Sequence, residues 1–352
     1  MSPELLSIAV ALGEPLAEQD LSKGAFSRCA LGGAVFSQTR LCETDFREAD
    51  LREAVFERCD LRGVLLSGAN LRRAVFDHCL LDHADLRKAN LHGAVWSECE
   101  APHAQLEDAW LGMATFSKSR LDHATLRNVD LDSTVLNEAS LIDVCLDQSR
   151  WRHTTLIQCN LDKATWNESH MLRVAFIKTN LAGKSFAGLN LEGCQFLEAD
   201  LSQTDFSGAT LRQCNFQGAN IEQANFAKVE APLTLFCKTQ GAGCNFSDAR
   251  LRQALFTEAV LPEADFSSAD LYQTHFAGAQ LPGARLTGAE LTYADFRHAD
   301  LSRVDASRAT LFRAVLHGAR TEDAVMPDRA RALETDPDLA EAENWNPMEN
   351  DI

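Results

Sequence analysis

Three histidines that recur at every twentieth position are the first candidates for chemistry. His83, His103 and His123 share this interval, and Asp82 and Asp122 directly precede two of them. Imidazole is the commonest transition-metal ligand among side chains. If the chain stacks these residues about 5 Å apart, the spacing of neighbouring strands, two rings could share an ion. The alternative is a solvated ladder of stacked rings that binds no metal.

Eleven cysteines raise the question of disulfides or zinc, but no Cys-x-x-Cys pair occurs. Eight of them recur in one slot of the pattern described below, which is otherwise filled by small residues: Cys29, Cys59, Cys79, Cys99, Cys159, Cys194, Cys214 and Cys244. We expect them to act as small buried hydrophobic residues. Reduced thiols in this number predict a cytoplasmic protein.

Enzyme motifs are missing from the sequence. It contains no glycine-rich phosphate loop and no nucleophile elbow, and the filled interior predicted below leaves no room for a pocket. We therefore predict a protein that is not an enzyme and has no cofactor and no small-molecule substrate.

A five-residue period organises almost the whole chain. From Leu21 to Leu316, 56 of 60 positions at this spacing hold Leu, Ile, Met, Phe or Trp, which we call the large slot. Three residues later lies a small slot, where only Lys184 and Leu189 are not small residues. A period of five fits neither a helix nor a flat strand, so the chain must turn once per repeat.

Proline and glycine mark the turn. All four prolines of the repeat region directly follow the large slot, and 15 of the 19 glycines fall two positions after it in the same frame. Proline followed by glycine is typical of a type II turn. Where another residue replaces the glycine, we expect a different turn.

A second period, twice as long as the first, shows how many sides one coil has. Leucine dominates the large slots whose numbers end in 1, and 18 of the 19 phenylalanines lie at numbers ending in 6. An even number of sides explains this alternation, and four, the natural square, gives four pentapeptides per coil and about fifteen coils. Lys184 and Leu189 in the small slot then predict a bulge or bend around 182–190, because a lysine cannot face a dry core alone.

The repeat resembles that of the pentapeptide-repeat family, whose consensus is small–Asp/Asn–Leu/Phe–Ser/Thr/Arg–any. Examples are Ala49-Asp50-Leu51-Arg52-Glu53 and Ala199-Asp200-Leu201-Ser202-Gln203. The resemblance covers roughly residues 16–319. It implies an all-β fold, a right-handed four-sided parallel β-helix, with the handedness taken from the family. Some members are accessory to bacterial secretion systems, and others mimic DNA and bind type II topoisomerases such as gyrase.

The ends of such a solenoid need caps. We predict an N-terminal cap over 1–15 with a short helix at Glu4–Leu12, the β-helix over 16–319, and an acidic C-terminal cap or tail over 320–352. In the last segment we expect helical turns at Asp328–Leu333 and Pro337–Asn344, with Trp345 as an anchor.

Charge bears on the possible partners. The net charge is −18, of which −7 lies in residues 320–352 and −2 in the first fifteen, which leaves −9 for the repeats. Arginines are interspersed among the repeat carboxylates, whereas a DNA mimic needs a continuous anionic field. The sequence contains no basic patch, so we predict that the protein does not bind nucleic acid directly. No apolar run approaches a membrane span of about 20 residues, and the N-terminus lacks the basic start of a secretion signal.

One outward column is apolar. The residue before the large slot faces outward, and every twentieth such residue reads Val35, Val55, Val75, Val95, Thr115, Val135 and Thr155. We interpret this column as a docking face for a protein partner or a second copy; simple strand propensity is the alternative. The leading hypothesis is a rigid, non-catalytic scaffold or adaptor, for which the family resemblance offers a bacterial secretion system as a setting. The alternative is a DNA-mimic modulator of gyrase.

Overall fold

A computed structural model describes residues 1–343, which form two compact units, Met1–Asn180 and a second unit that begins at Leu181. Helix α1 (Pro3–Ala11) opens the first unit. Its N-terminus is capped by Ser2, whose hydroxyl oxygen accepts a hydrogen bond from the Leu5 amide at 3.3 Å. Leu6 is fully buried. The helix matches the N-terminal helix predicted at Glu4–Leu12.

The first unit is a parallel β-helix in which each coil contains four pentapeptides, so that Val35 pairs with Val55 and Val55 with Val75. Its strands are β1 (Leu16–Ala17), β2 (Val35–Ser37), β3 (Val55–Glu57), β4 (Val75–Asp77), β5 (Val95–Ser97), β6 (Thr115–Ser117), β7 (Val135–Asn137), β8 (Arg150–Arg152), β9 (Thr155–Ile157), β10 (His170–Leu172) and β11 (Ala175–Ile177). Nine of them form one parallel sheet in the order β1-β2-β3-β4-β5-β6-β7-β9-β11. Strands β8 and β10 pair on another side of the coil.

The second unit repeats the same coil with shorter extended segments. Within residues 181–343 the sheet pairing consists of single-residue parallel bridges between equivalent positions of successive coils, from Ser185–Asp205 to Asp305–Val325. The main sheet therefore has nine strands, and this number does not match the predicted count of about fifteen coils. In the first unit, Val or Thr begins most strands of the nine-stranded sheet, and these β-branched residues favour extended backbone. In the second unit Gln195, Asn215 and His275 occupy the equivalent position.

The corners differ from the sequence-based expectation in one respect. Gly63 and Gly93 adopt φ values of 65° and 67° at the second corner residue, as a type II turn requires. Glutamates in the same slot, such as Glu43 and Glu53, adopt φ of 55° and 59°. The prediction that other residues change the turn is therefore wrong. The corner is fixed by bonds to the next coil, such as Glu43 N–H to Arg62 O at 3.0 Å, whichever residue occupies it.

The interior is filled as predicted. The large slots hold fully buried leucines and phenylalanines, and the small slots complete each coil. Phenylalanine rings stack on the ring at the equivalent position of the next coil: Phe36 and Phe56 have centroids 5.1 Å apart and are nearly parallel. In the second unit Phe226 lies 4.9 Å from Phe206 and 4.7 Å from Phe246.

Residues 182–190 keep the backbone geometry of regular corners and show no bulge within the second unit, whereas the bend predicted there stays a prediction. The Lys184 amide donates to Leu181 O at 3.1 Å, and the Leu189 amide donates to Phe186 O at 3.1 Å, as at regular corners. Ser185 and Asn190 keep the regular register with the next coil. Backbone bonds at a corner form independently of the side chain in the small slot, and both side chains are partly exposed.

At the C-terminal end a 3₁₀ turn (Arg329–Arg331) precedes helix α2 (Pro337–Glu343). They lie where the sequence predicted two helical turns. Trp345, the predicted anchor, lies outside the described residues. No helix within residues 1–343 is long and apolar enough to cross a membrane.

Candidate protein-binding surface

The valine column forms an unbroken line on the nine-stranded sheet of the first unit. Val35, Val55, Val75, Val95, Thr115, Val135 and Thr155 are paired in parallel register from β2 to β9, and we call this line the valine face. Their side chains point away from the filled interior, because each follows a buried small residue and precedes a buried large one. Val35 is 41% exposed and Val95 is 40% exposed.

Two larger apolar residues lie at the corner beside this face. Met113 is 60% exposed and stands two residues before Thr115, and Trp110 is 51% exposed on the adjoining side of the same coil. The Trp110 ring packs on His92 with centroids 5.4 Å apart. The sequence signal was available, because Trp110 occupies an outward slot and Met113 a corner slot. Neither residue belongs to a periodic apolar column, so the column pattern alone does not predict them.

The rim of the valine face is polar and paired. Glu57 binds Arg58 at 3.4 Å. His78 lies 3.0 Å from Asp77 and 3.1 Å from Glu98. An apolar centre with a polar rim is the usual composition of a protein interface.

The histidine column forms a stack. The rings of His83 and His103 are 4.9 Å apart and 12° from parallel, and those of His103 and His123 are 5.0 Å apart and 10° from parallel. A ring nitrogen binds a metal in the plane of its ring, so parallel stacked rings do not aim their nitrogens at one point. His123 instead contacts Asp143 at 3.1 Å.

Aspartates in the outward slot serve the adjacent corner. Asp60 Oδ1 accepts the Arg62 amide at 3.3 Å, and the Arg62 guanidinium donates to both carboxylate oxygens at 2.8 Å and 2.6 Å. These bonds hold the pKa of Asp60 at about 2, well below its usual range. Asp45, Asp50 and Asp85 are paired in the same way with the arginine two residues on. Each of these four aspartates is therefore paired with an arginine of its own corner.

The inward cysteines form hydrogen bonds as well as packing. Sγ of Cys59, Cys79 and Cys99 lies 3.4, 3.2 and 3.3 Å from the carbonyl oxygens of Phe36, Phe56 and Phe76 in the previous coil. Thr39 occupies the same column and donates to Leu16 O at 2.6 Å. Burial raises the pKa of the equivalent Cys159 thiol to about 11, which keeps it protonated and able to donate.

Helix α2 is fastened to the last coils of the second unit by two histidines. The buried His317 has Nε2 3.0 Å from Glu343, and His298 has Nε2 3.3 Å from the same carboxylate. These three groups are close enough to be considered as metal ligands. However, His317 Nδ1 accepts the Asp336 amide at 3.1 Å, so in neutral His317 the proton resides on Nε2. That nitrogen donates to Glu343 and offers no lone pair to an ion.

Comparisons with known proteins agree with the coil geometry. A model described as "Pentapeptide repeat region" matches residues 16–86 and 49–126. A model described as "Pentapeptide repeats (8 copies)" matches 114–150, 169–212, 190–226, 244–281, 269–305 and 289–320. No curated protein is significantly similar to the chain.

Several solved structures are similar at low identity. A trypsin-treated form of QnrB1, a plasmid-mediated fluoroquinolone resistance protein, is 20% identical over 51% of this chain and 88% of that one, with a TM-score of 0.40. HetL, involved in heterocyst differentiation regulation in the cyanobacterium Nostoc sp. strain PCC 7120, is 23% identical over 81% and 91%, with a TM-score of 0.17. Such distant likeness carries no functional argument. Because the family models match most of its length, this chain belongs to the pentapeptide-repeat family.

Proposed function

We propose that the protein is a non-catalytic scaffold or adaptor that binds another protein, or a second copy of itself, through the valine face. The observation that carries this proposal is the unbroken register of β-branched side chains from Val35 to Val135, all valine except Thr115, with the exposed Trp110 and Met113 beside it. Exposed apolar residues in one contiguous strip are typical of interaction surfaces.

The energetics favour a specific contact. Fully burying a large apolar side chain contributes about 1.5–3 kcal/mol, so covering the exposed half of Trp110 or Met113 gives about 1 kcal/mol each. Tryptophan is also among the residues enriched at interface hot spots. The parallel strands hold the valines in fixed positions, so little conformational entropy of the backbone is lost on binding.

A binding role outside the coils also fits the filled interior. Large and small slots leave the side chains in contact across each coil, so a ligand would have to bind on the outer surface. The backbone N–H and C=O groups of the nine-stranded sheet are engaged between coils. Recognition on the valine face therefore depends on side chains rather than on strand addition.

Gyrase modulation by DNA mimicry is the rival function. The corner arginines pair with Asp45, Asp50, Asp60 and Asp85, which interrupts the anionic field that a mimic of DNA must present. This pairing weighs against the rival. An accessory role in a bacterial secretion system rests on the family resemblance and would be one setting for the scaffold.

The test is the double substitution Val55→Glu plus Val75→Glu in the full chain. Its control is Gln105→Glu plus Thr125→Glu, which places the same charges in outward slots of another side of the same unit. Oligomeric state by light scattering and partner capture from the native cell are measured for both, with circular dichroism as the folding check. We expect the valine variant alone to lose dimerisation or its partner. Equal behaviour of wild type and both variants would remove the proposal.

A further inference from the structure

The second unit carries an open groove with a volume of 530 Å³ on its outer surface. Its lining consists of Leu233, Leu235, Gln253, Leu255, Gln273, His275 and Tyr293. The volume falls in the range of about 300–1,000 Å³ that is usual for ligand sites. All lining residues belong to the second unit, so the groove is separate from the valine face.

The coil geometry explains the shape of this groove. Leu235, Leu255 and His275 follow one another in the outward slot and are paired in parallel register, which gives one wall of the groove. Leu233 and Tyr293 stand at corners with φ of 60° and 61° and are 45% and 41% exposed. The corner side chains therefore rise beside the outward column.

Aromatic rings and arginines extend one end of the groove. The Tyr293 ring contacts Phe312 with centroids 6.0 Å apart, and the Arg313 guanidinium carbon lies 5.8 Å from the Tyr293 centroid. Tyr and Arg are the residues most enriched at binding hot spots together with Trp. Phe312 is 39% exposed, which makes the rim accessible as well as apolar.

The lining of the groove is uncharged in an otherwise acidic chain. None of its lining residues is acidic, although the chain has a net charge of −18. Asp295, which follows His275 in the outward column, is bound by Arg297 at 2.7 Å. Arg313 has no carboxylate within 4.0 Å among residues 1–343, so this end of the groove has one cation without an acidic partner.

The polar groups on the groove wall suit a peptide backbone. The amides of Leu233, Gln253 and Gln273 donate to carbonyls of the next coil, so strand addition is not available. Gln253 Nε2 donates to Gln273 Oε1 at 3.0 Å, which leaves Gln253 Oε1 as an acceptor and Gln273 Nε2 as a donor. Such a pair of carboxamide groups can bond the C=O and N–H of an extended chain.

We propose that this groove binds an extended segment of a partner protein, with apolar side chains against Leu235 and Leu255 and a carboxylate at Arg313. The positions from Leu233 to Tyr293 span three coil intervals, about 14 Å at a strand spacing of about 4.8 Å. An extended peptide of four or five residues has this length at about 3.3 Å per residue. The ligand class is thus a short, acidic and apolar linear motif.

A random dodecapeptide library displayed on phage, panned against the immobilised full chain, provides the probe. Enriched peptides are synthesised, and their affinities are measured by fluorescence anisotropy for wild type, Leu255→Glu, Arg313→Gln and Arg308→Gln. Arg308 is the matched control, because it occupies the corner slot before Arg313 with φ of 60° against 57°. Both arginines are exposed, so neither substitution disturbs the core.

We expect the enriched peptides to combine an acidic residue with apolar ones. Leu255→Glu should lower the affinity for these peptides by more than about tenfold, as loss of an apolar anchor does. Arg313→Gln should weaken them about three- to fivefold, as loss of one exposed charge pair does, and Arg308→Gln should have no effect. Failure to enrich peptides, or equal affinity for all four proteins, would overturn the proposal. A concentration-dependent dimer that Leu255→Glu abolishes would also overturn it, because the occupant would be a second copy.

Discussion

Within the nine-stranded sheet, the small slot that follows a strand supplies a hydrogen-bond donor to the previous coil at most positions, with Ala139 as an exception. The carbonyl of Phe56 points at the next coil and is bonded there by the thiol of Cys79. Thr179 makes the equivalent bond to Leu156 O at 3.4 Å. The hydrogen bond to the previous coil accounts for the Thr, Cys and Ser residues that fill most small slots from Thr39 to Thr179. The small slots on the neighbouring side, from Ala34 to Ala114, are all alanine. The expectation that these cysteines act only as small hydrophobic residues was therefore incomplete.

The pair Cys79→Val and Cys79→Thr separates packing from hydrogen bonding, since the two new side chains have nearly the same shape. Val removes the bond from the thiol to Phe56 O but leaves the parallel pairing of the two strands, and the loss of one hydrogen bond costs about 0.5–1.5 kcal/mol. Thr keeps the bond. We expect the Val variant to be less stable than the Thr variant by about this amount in urea unfolding. A Val variant as stable as the Thr variant would show that the thiol acts only as a small apolar group.

The aspartate of the repeat consensus also has a local role. Asp60 accepts the amide of the first corner residue, Arg62, and pairs with its guanidinium. Its carboxylate is 19% exposed, so part of this attraction is retained against screening by water.

Acid should therefore remove stability at these corners. The folded-state pKa of Asp60 is about 2, below its usual value of 3.8, so its contribution is complete above about pH 4 and is lost as the pH falls towards 2. Asp60→Asn keeps an acceptor for the amide but has no charge to titrate. We expect thermal unfolding to show about 1–2 kcal/mol less acid dependence in this variant between pH 5 and pH 2. If the variant and the wild type lose the same stability between pH 5 and pH 2, the role given to the Asp60–Arg62 pair is wrong.

At the scale of the element, most of the coil could be predicted because its causes are periodic. Large, small, outward and corner slots recur in every pentapeptide, and each slot imposes one physical requirement on the residue that occupies it. Helices α1 and α2 lie where helical segments were predicted, at Glu4–Leu12 and at Pro337–Asn344. Fewer strands formed than coils were expected, because the coils of the second unit pair through single-residue bridges rather than through longer strands.

Features that arise from single residues were harder to predict. Trp110 and Met113 interrupt columns of different composition, so a column-by-column search does not reveal them. The groove of the second unit depends on the heights of corner side chains, which a slot assignment does not give. The His317–Glu343 contact joins residues outside the five-residue frame to the last coil, and no repeat signal predicts it.

The phenylalanine stack permits a test of the coil as an element. Phe226 is fully buried between Phe206 and Phe246, so Phe226→Ala should cost about 3–5 kcal/mol because the stacked neighbours cannot collapse into the cavity. Phe312→Ala removes the same ring from an exposed position and should cost less than about 1 kcal/mol. Hydrogen exchange and thermal unfolding measure both. Equal destabilisation would contradict the inward and outward assignment of the slots.

At the scale of the whole molecule, the net charge and the local pairing of charges lead to different expectations about DNA mimicry. A net charge of −18 is what an anionic mimic would need. The described residues place many of these charges in pairs, either within a corner, as Asp50 with Arg52, or between coils, as Glu48 with Arg28 at 2.8 Å. Paired charges cancel beyond a Debye length of about 8 Å at physiological ionic strength. An enzyme that binds DNA through extended phosphate contacts would meet an interrupted field.

A gyrase supercoiling assay tests this conclusion, with the purified chain titrated to a large excess over the enzyme. We expect no inhibition by wild type, because arginines pair with part of the repeat carboxylates and interrupt the anionic field. The variant Arg52→Gln plus Arg62→Gln keeps the corner amides bonded to Asp50 and Asp60 but leaves those carboxylates without their cations. If charge pairing is what prevents mimicry, this variant is the one in which weak, salt-sensitive inhibition would first emerge. Inhibition by wild type that weakens steeply with salt would favour the topoisomerase role and count against the scaffold, since the valine face carries no charge that could produce it.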